Sequence, residues 1–242
     1  MQLIISENYN ELSRTAAEDL IHLMQGTIYP LVCTASGDTP AGLYRSLIDK
    51  IRQGEADVSR WEFVGLDEWA GMNGSDEGSC RYHLDRQFFQ PLQIPDDRIC
   101  FFDGRAKDPE KECARTEAVI EKHGQIELAI LGLGQNGHIG MNEPGTPATL
   151  RSHYGAIAPE TQEIGKKYFK DPRPITHGLT LGLANLLEAH HLFLLVSGEK
   201  KAAIVKQLLE TEPTEQLPAT LLLKHPGLRI YLDKEAAKQL PA

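Results

Sequence analysis

The chain has little of what would place it in a membrane, in an oxidising compartment or on nucleic acid. No apolar run in its 242 residues approaches the roughly 20 residues that a bilayer-spanning helix needs. The N-terminal MQLIISENYNELSR has no basic segment leading into a long apolar one, so it does not read as a signal peptide, and a cytoplasmic location is expected. Only four cysteines occur, Cys33, Cys80, Cys100 and Cys113, with no C-x-x-C among them; this argues against a disulfide framework and against a zinc site. Basic residues are outnumbered, 25 Lys and Arg against 34 Asp and Glu, for a formal net charge of −9. A broad nucleic-acid surface is therefore disfavoured, although a local basic pocket for a small anion is not. Repeats, linkers and low-complexity tracts are also missing, which leaves one domain over residues 1–242.

What is present alternates between strand and helix patterns. Short apolar strands are expected over 2–6, 30–35, 62–66, 98–102, 126–131, 191–196 and 228–232. Helices are expected over 8–25, from Pro40 through Leu43, Leu47 and Ile51, through Phe88 and Phe89, over 109–122, and from 197–200 to Leu209, with a short last one capped by Asp233. Pro40 suits a first helical turn and Thr39 is the expected N-cap. Residues 154–174 are polar without a clear period and are read as irregular, with room for one helix and a role as a lid. Residues 178–188 mix periods, and only a helix start near Gly182 is assigned. The pattern predicts an α/β fold in three layers, a mostly parallel, Rossmann-like sheet with helices on both faces.

In such sheets ligands bind beyond the carboxyl ends of the strands. Four loops that each follow a strand should gather there: 36–39, 67–69, 138–143 and 197–200. The organising stretch is 126–145, IELAILGLGQNGHIGMNEPG, an apolar strand that empties into a loop with four glycines within nine residues and presents His138 and Glu143. Gly132-Leu-Gly134-Gln-Asn-Gly137 satisfies the G-x-G-x-x-G dinucleotide fingerprint, but that motif must open a helix, and Gly140, Pro144, Gly145 and Pro147 follow instead.

Ser36, Gly37 and Thr39 at a helix start, with Lys200 near another, would suit a phosphate; simple capping by Thr39 and a solvated Lys200 is the plainer alternative. Asp67 at a strand end is placed to be a general base, and His138 with Glu143 forms a second acid/base group. Together they predict proton transfer on a phosphorylated small molecule. His190-His191 lacks companions at metal-ligand spacing and reads as a helix-to-strand junction.

In order and spacing, SGDTP, FVGLDEW, LGLGQNGHIGMNEPG and the strand-SGEK-helix segment resemble the glucosamine-6-phosphate deaminase and 6-phosphogluconolactonase superfamily over nearly the full chain. Glu143 resembles the deaminase-isomerase branch, because the lactonase branch lacks that glutamate. Within the branch, LDEW, EGSC, RPITHGLTLGL and LPATLLLKH look most like galactosamine-6-phosphate isomerases (deaminating), with the glucosamine 6-phosphate enzyme as the alternative. The resemblance implies a sugar-phosphate isomerase type of sheet and deamination of a hexosamine 6-phosphate. Asp67 would move the C2 proton to C1, and His138 would open the ring, tuned by Glu143 and Asn136. Ser36, Gly37, Thr39, Lys200 and Lys167 would hold the phosphate, and no metal or organic cofactor is implied. Two departures stand out: Asp38 brings a negative charge to the phosphate loop and should point away from it, and Asn136 replaces an aspartate common in deaminases. A sugar-phosphate-sensing regulator is the competing class, but it would carry a basic helix-turn-helix that this chain lacks. The expected partner is a small sugar phosphate, with neither nucleic acid nor membrane; oligomeric state is left open.

Overall fold

The structure is a computed structural model that describes residues 1–168 and 175–241. In chain order it runs β1 (Gln2–Ser6), α1 (Tyr9–Met24), β2 (Leu31–Thr34), α2 (Asp38–Arg52), β3 (Glu62–Gly65), β4 (Asp67–Trp69) and α3 (Cys80–Leu84), which continues as a π-helical turn over Asp85–Phe89. There follow β5 (Ile99–Cys100), α4 (Pro109–His123), β6 (Leu128–Gly132), β7 (His153–Ala156), α5 (Pro159–Gly165) and β8 (His177–Thr180). The chain then forms α6 (Leu183–Leu187), β9 (His191–Val196), α7 (Ala202–Glu210), β10 (Leu228–Asp233) and α8 (Lys234–Ala237).

Seven strands form one sheet in the order β1-β10-β9-β6-β2-β3-β5, and every pairing in it is parallel. The period of two along each strand divides the core. In β6, Ala129 and Leu131 face Cys113 and Ile120 of α4 and Val205 and Leu208 of α7. Leu128 and Ile130 face Leu12, Ala16 and Leu20 of α1 and Leu43 and Tyr44 of α2. Apolar side chains on both sides of the same strand explain why these strands read as continuous apolar runs. The expected fold class is observed.

Several local expectations need correction. The strand expected over 98–102 is only two residues long, because Phe101 and Phe102 leave the sheet for opposite sides of the core, and the Arg115 guanidinium donates to the Phe101 carbonyl at 2.6 Å in place of a ladder bond. Thr39 is not the N-cap of α2. The helix starts two residues earlier, at Asp38, with Gly37 as N-cap at φ 119°, a conformation open to glycine. The irregular reading of 154–174 missed β7, which joins β8 and β4 in a small antiparallel sheet, order β4-β8-β7. Residues 169–174 of the expected lid, with the Arg-Pro of RPITHGLTLGL, lie outside the described residues.

Candidate active site

At the carboxyl edge of the large sheet is a cavity of about 850 Å³ whose lining includes Ser36, Gly37, Thr39, Asp67, His138, Lys167 and Lys200. The four strand-following loops do converge. Asn136 and Glu143 do not line the cavity; they stand behind His138.

Asp67 sits where β3 hands the chain to the small sheet. The N–H of Leu66 donates to the Thr34 carbonyl at 3.0 Å, the Leu66 carbonyl accepts from Leu181 N–H at 2.8 Å, and Asp67 opens β4 opposite Thr180. Its side chain is therefore aimed from a junction braced on both sides. Burial pushes its carboxyl up to about 6, opposed by a hydrogen bond from the Cys80 thiol. At neutral pH it is mostly ionised, yet a stronger base than a solvated aspartate.

The histidine group is a relay through an amide. The Asn136 Nδ2–H donates to Glu143 Oε2 at 2.8 Å, which turns Asn136 Oδ1 towards His138, 2.7 Å from Nδ1 and 3.1 Å from the backbone N–H. An acceptor at that place selects the Nδ1–H tautomer and leaves the Nε2 lone pair free to take a proton. Thr161 Oγ1 of α5 also lies 3.2 Å from Nδ1, and Glu143 Oε2 lies 3.6 Å away. Burial lowers the His138 pKa; Glu143 opposes this and Lys201 adds to it. Gly134 has to be glycine, because a Cβ there would collide with the imidazole ring.

The end of the cavity that the sequence reading gives to an anion is built on the first turn of the 15-residue α2, where Gly37 turns the backbone of the Ser36–Thr39 loop. Asp38 is among the lining residues, and its carboxylate, 77% exposed, pairs with Lys167 Nζ at 2.7 Å, so its charge is offset beside the loop that the sequence reading gives to a phosphate. Lys200 is exposed. Its neighbour Lys201 is more enclosed, donates to the Leu133 carbonyl, and is brought down to about 8 by burial and by nearby Lys167.

Four contributors were missed by the sequence reading. Lys201 could have been weighed beside Lys200 in the KK pair, since consecutive helical residues face different directions. Thr161 lay in the unreadable stretch. Glu68 and Cys80 fell inside the quoted LDEW and EGSC motifs without an assigned role. Among the described residues no group of three or more His, Cys, Asp or Glu is arranged to hold a metal ion, and no helix is long and apolar enough to cross a membrane.

The family model for glucosamine-6-phosphate isomerases/6-phosphogluconolactonase matches residues 7–230. A glucosamine-6-phosphate deaminase of Thermoanaerobacter pseudethanolicus is 36% identical over 242 residues, covering 100% of this chain and 96% of the relative. One of Clostridium perfringens is 33% identical over 241 residues, covering 99% and 100%. Among solved structures, a monomeric glucosamine-6-phosphate deaminase superposes with a TM-score of 0.95 at 33% identity, covering 98% of this chain and 99% of that one. The 6-phosphogluconolactonase of Trypanosoma brucei, at 20% identity and a TM-score of 0.77, shares the fold. A family match over almost the whole length, with full-length relatives above 30% identity, leads to one conclusion: this chain belongs to the glucosamine-6-phosphate isomerase/6-phosphogluconolactonase family.

Proposed function

We propose that the protein is an amino-sugar-phosphate deaminase that isomerises a hexosamine 6-phosphate and releases ammonium, with glucosamine 6-phosphate as substrate and fructose 6-phosphate as product. The observation that carries this is a carboxylate base, Asp67, sharing one cavity with a separate histidine relay and with a helix N-terminus flanked by lysines. An aldose-ketose proton transfer on a phosphorylated sugar calls for that combination.

In the ring-opening step His138 Nε2 accepts the proton of the anomeric hydroxyl and returns it to the ring oxygen as the bond from C1 to that oxygen breaks. Asn136 and Glu143 hold the imidazole for this and stabilise its transient positive charge. Asp67 then takes the proton from C2 while the C2 ammonium passes a proton to the C1 oxygen, which becomes a hydroxyl, giving an enolamine. It returns the proton to C1 and leaves an imine at C2, which water hydrolyses to the ketose phosphate and ammonium. The phosphate is held by the Ser36, Gly37 and Thr39 turn and by Lys201, with Lys167 and Lys200 at the rim. Glu143 supports a deaminase over a lactonase, because the histidine relay runs through it.

The choice of epimer rests on two unequal supports. The full-length relatives bear the name of the glucosamine enzyme, whereas the short motifs LDEW, EGSC, RPITHGLTLGL and LPATLLLKH favour galactosamine 6-phosphate. Ammonium release measured on both epimers, with and without the phosphate, tests all of it. We expect higher kcat/KM on glucosamine 6-phosphate, weak turnover without the phosphate, and a fall in kcat of ~10²–10⁴-fold in Asp67→Asn with KM little changed. A preference for the galactosamine epimer would reverse the substrate assignment alone, and no ammonium from either would remove the deaminase reading.

A further inference from the structure

Next to Asp67 lies a second carboxyl that the scheme above does not use. Glu68 is completely buried, and three backbone N–H groups are directed at it. Those of Trp69 at 2.8 Å and Cys80 at 3.0 Å converge on Oε1, and that of Arg81 at 3.0 Å reaches Oε2. Cys80 and Arg81 are the first two residues of α3, so Glu68 caps that helix from another element, alongside Ser79, whose hydroxyl accepts from Tyr82 N–H at 3.0 Å. The side chain fixed most directly is that of Cys80. It is 4% exposed, lines the cavity together with Asp67 and Ser36, and its thiol interacts electrostatically with the Asp67 carboxyl and the Ser36 hydroxyl. A thiol wedged between a proton-transfer base and the anion loop, on a helix end held by a buried carboxyl, is more than filling.

We propose that Cys80 is a positioning residue for Asp67, its S–H orienting the carboxylate between C2 and C1 of the substrate, and that Glu68 is the anchor that keeps Cys80 in place. This rests on the reading of Asp67 as the base. A carboxylate that must take a proton from one carbon and deliver it to the next has to present the same oxygen to both, and a donor on the carboxylate resists the rotation that would spoil this. The thiol is suited to the part because it remains a donor: burial, then the charges of Asp67 and Glu68, hold it well above its usual range. The titratable groups facing Asp67 are Glu68 on its own strand, Cys80 from α3, Cys33 from β2 and Tyr44 from α2. Burial raises both cysteines and the tyrosine, so between pH 5 and 8 only Asp67 and Glu68 change charge within this group.

The test is kcat against pH by ammonium release for wild type, Cys80→Ala and Cys80→Ser on one substrate, with Asp67→Asn in parallel and thermal unfolding as a check of folding. Cys80→Ala should lower kcat about tenfold and move the acidic limb to higher pH by roughly half a unit to one unit, because the lost donor favoured the ionised carboxylate. Cys80→Ser, which keeps a donor, should recover most of both. If Cys80→Ala folds poorly, Cys80→Val fills the volume without a donor and reads the same limb. A wild-type kcat and limb in a donor-free variant overturns the proposal, as does a serine variant no better than alanine, which would make Cys80 a matter of packing. Activity retained in Asp67→Asn would instead overturn the base assignment, and this inference with it.

Discussion

Asn136 does its work through both ends of one amide. Nδ2–H is committed to Glu143 and Oδ1 to His138, so the residue transmits the orientation of a carboxylate to an imidazole without carrying charge itself. Replacing it with aspartate would set a second carboxylate 2.8 Å from Glu143. Two carboxylates at that distance cannot both ionise freely and would share a proton, so the pair would present close to one negative charge near His138. That charge now lies nearer the ring, and the His138 pKa should rise by about one unit rather than by the full effect of a new ion pair. The limb of the kcat/KM profile that reports His138 should move to higher pH in Asn136→Asp. A folded variant with a superimposable profile would show that Asn136 does not influence the titration of His138.

At the level of elements, the start of α7 decides which of two adjacent lysines is exposed and which is enclosed. The chain enters α7 through a 3₁₀ turn over Glu199–Lys201 with Gly198 at φ 89°, and this geometry leaves Lys200 at the surface while turning Lys201 towards the Leu133 carbonyl. Lys201→Met should raise KM for the phosphorylated sugar by roughly 10–100-fold, the range for a hydrogen bond to a charged group, whereas Lys200→Met should change it by a few-fold at most. Because Lys201 loses its proton near pH 8, the wild-type kcat/KM should show a basic limb there that Lys201→Met lacks. Equal effects of the two substitutions would leave the inner lysine without a special role. The sequence reading reached this neighbourhood but not this residue, because strand-to-helix order survives in the hydrophobic pattern while the phase of a 3₁₀ entry does not. The same limit explains the other misses. β6 and β9 were legible because apolar side chains cover both their faces, and Asp67, His138 and Glu143 because each stands just beyond such a run. β7 was hidden because its side chains are exposed or half-buried on a small sheet, leaving no apolar signature. Gly37 won over Thr39 as the helix cap because a backbone angle decided the start, and composition does not record φ.

For the whole molecule, placing two carboxyls side by side in the core has a consequence that pH should reveal. Burial pushes Asp67 up to about 6 and Glu68 up to about 7, from ordinary values of 3.8 and 4.5. Between the ordinary and the raised values the folded chain holds more protons than the unfolded one, so the slope of unfolding free energy against pH is negative. Their stabilising contribution is complete below the unfolded values and is lost as pH rises through about 6 and then 7. For Glu68, shifted by about 2.5 units, the loss is roughly 3 kcal/mol. His138 acts in the opposite sense: its lowered folded pKa gives stability that is present above the ordinary histidine range and lost as pH falls. His83, His153 and His191, also lowered by burial, act in the same sense as His138, so the carboxyls are read from the difference between wild type and variant. Urea unfolding at pH 5 and pH 7 should therefore show wild type losing more stability on going to the higher pH than either Glu68→Gln or Asp67→Asn, with the larger difference for Glu68→Gln. The comparison uses the change with pH within each protein, so a general weakening of α3 by loss of the Glu68 carboxylate does not disturb it. Parallel pH dependences for all three proteins would mean that neither carboxyl is raised in the folded state, and Asp67 would then owe its basicity to contacts made only with substrate.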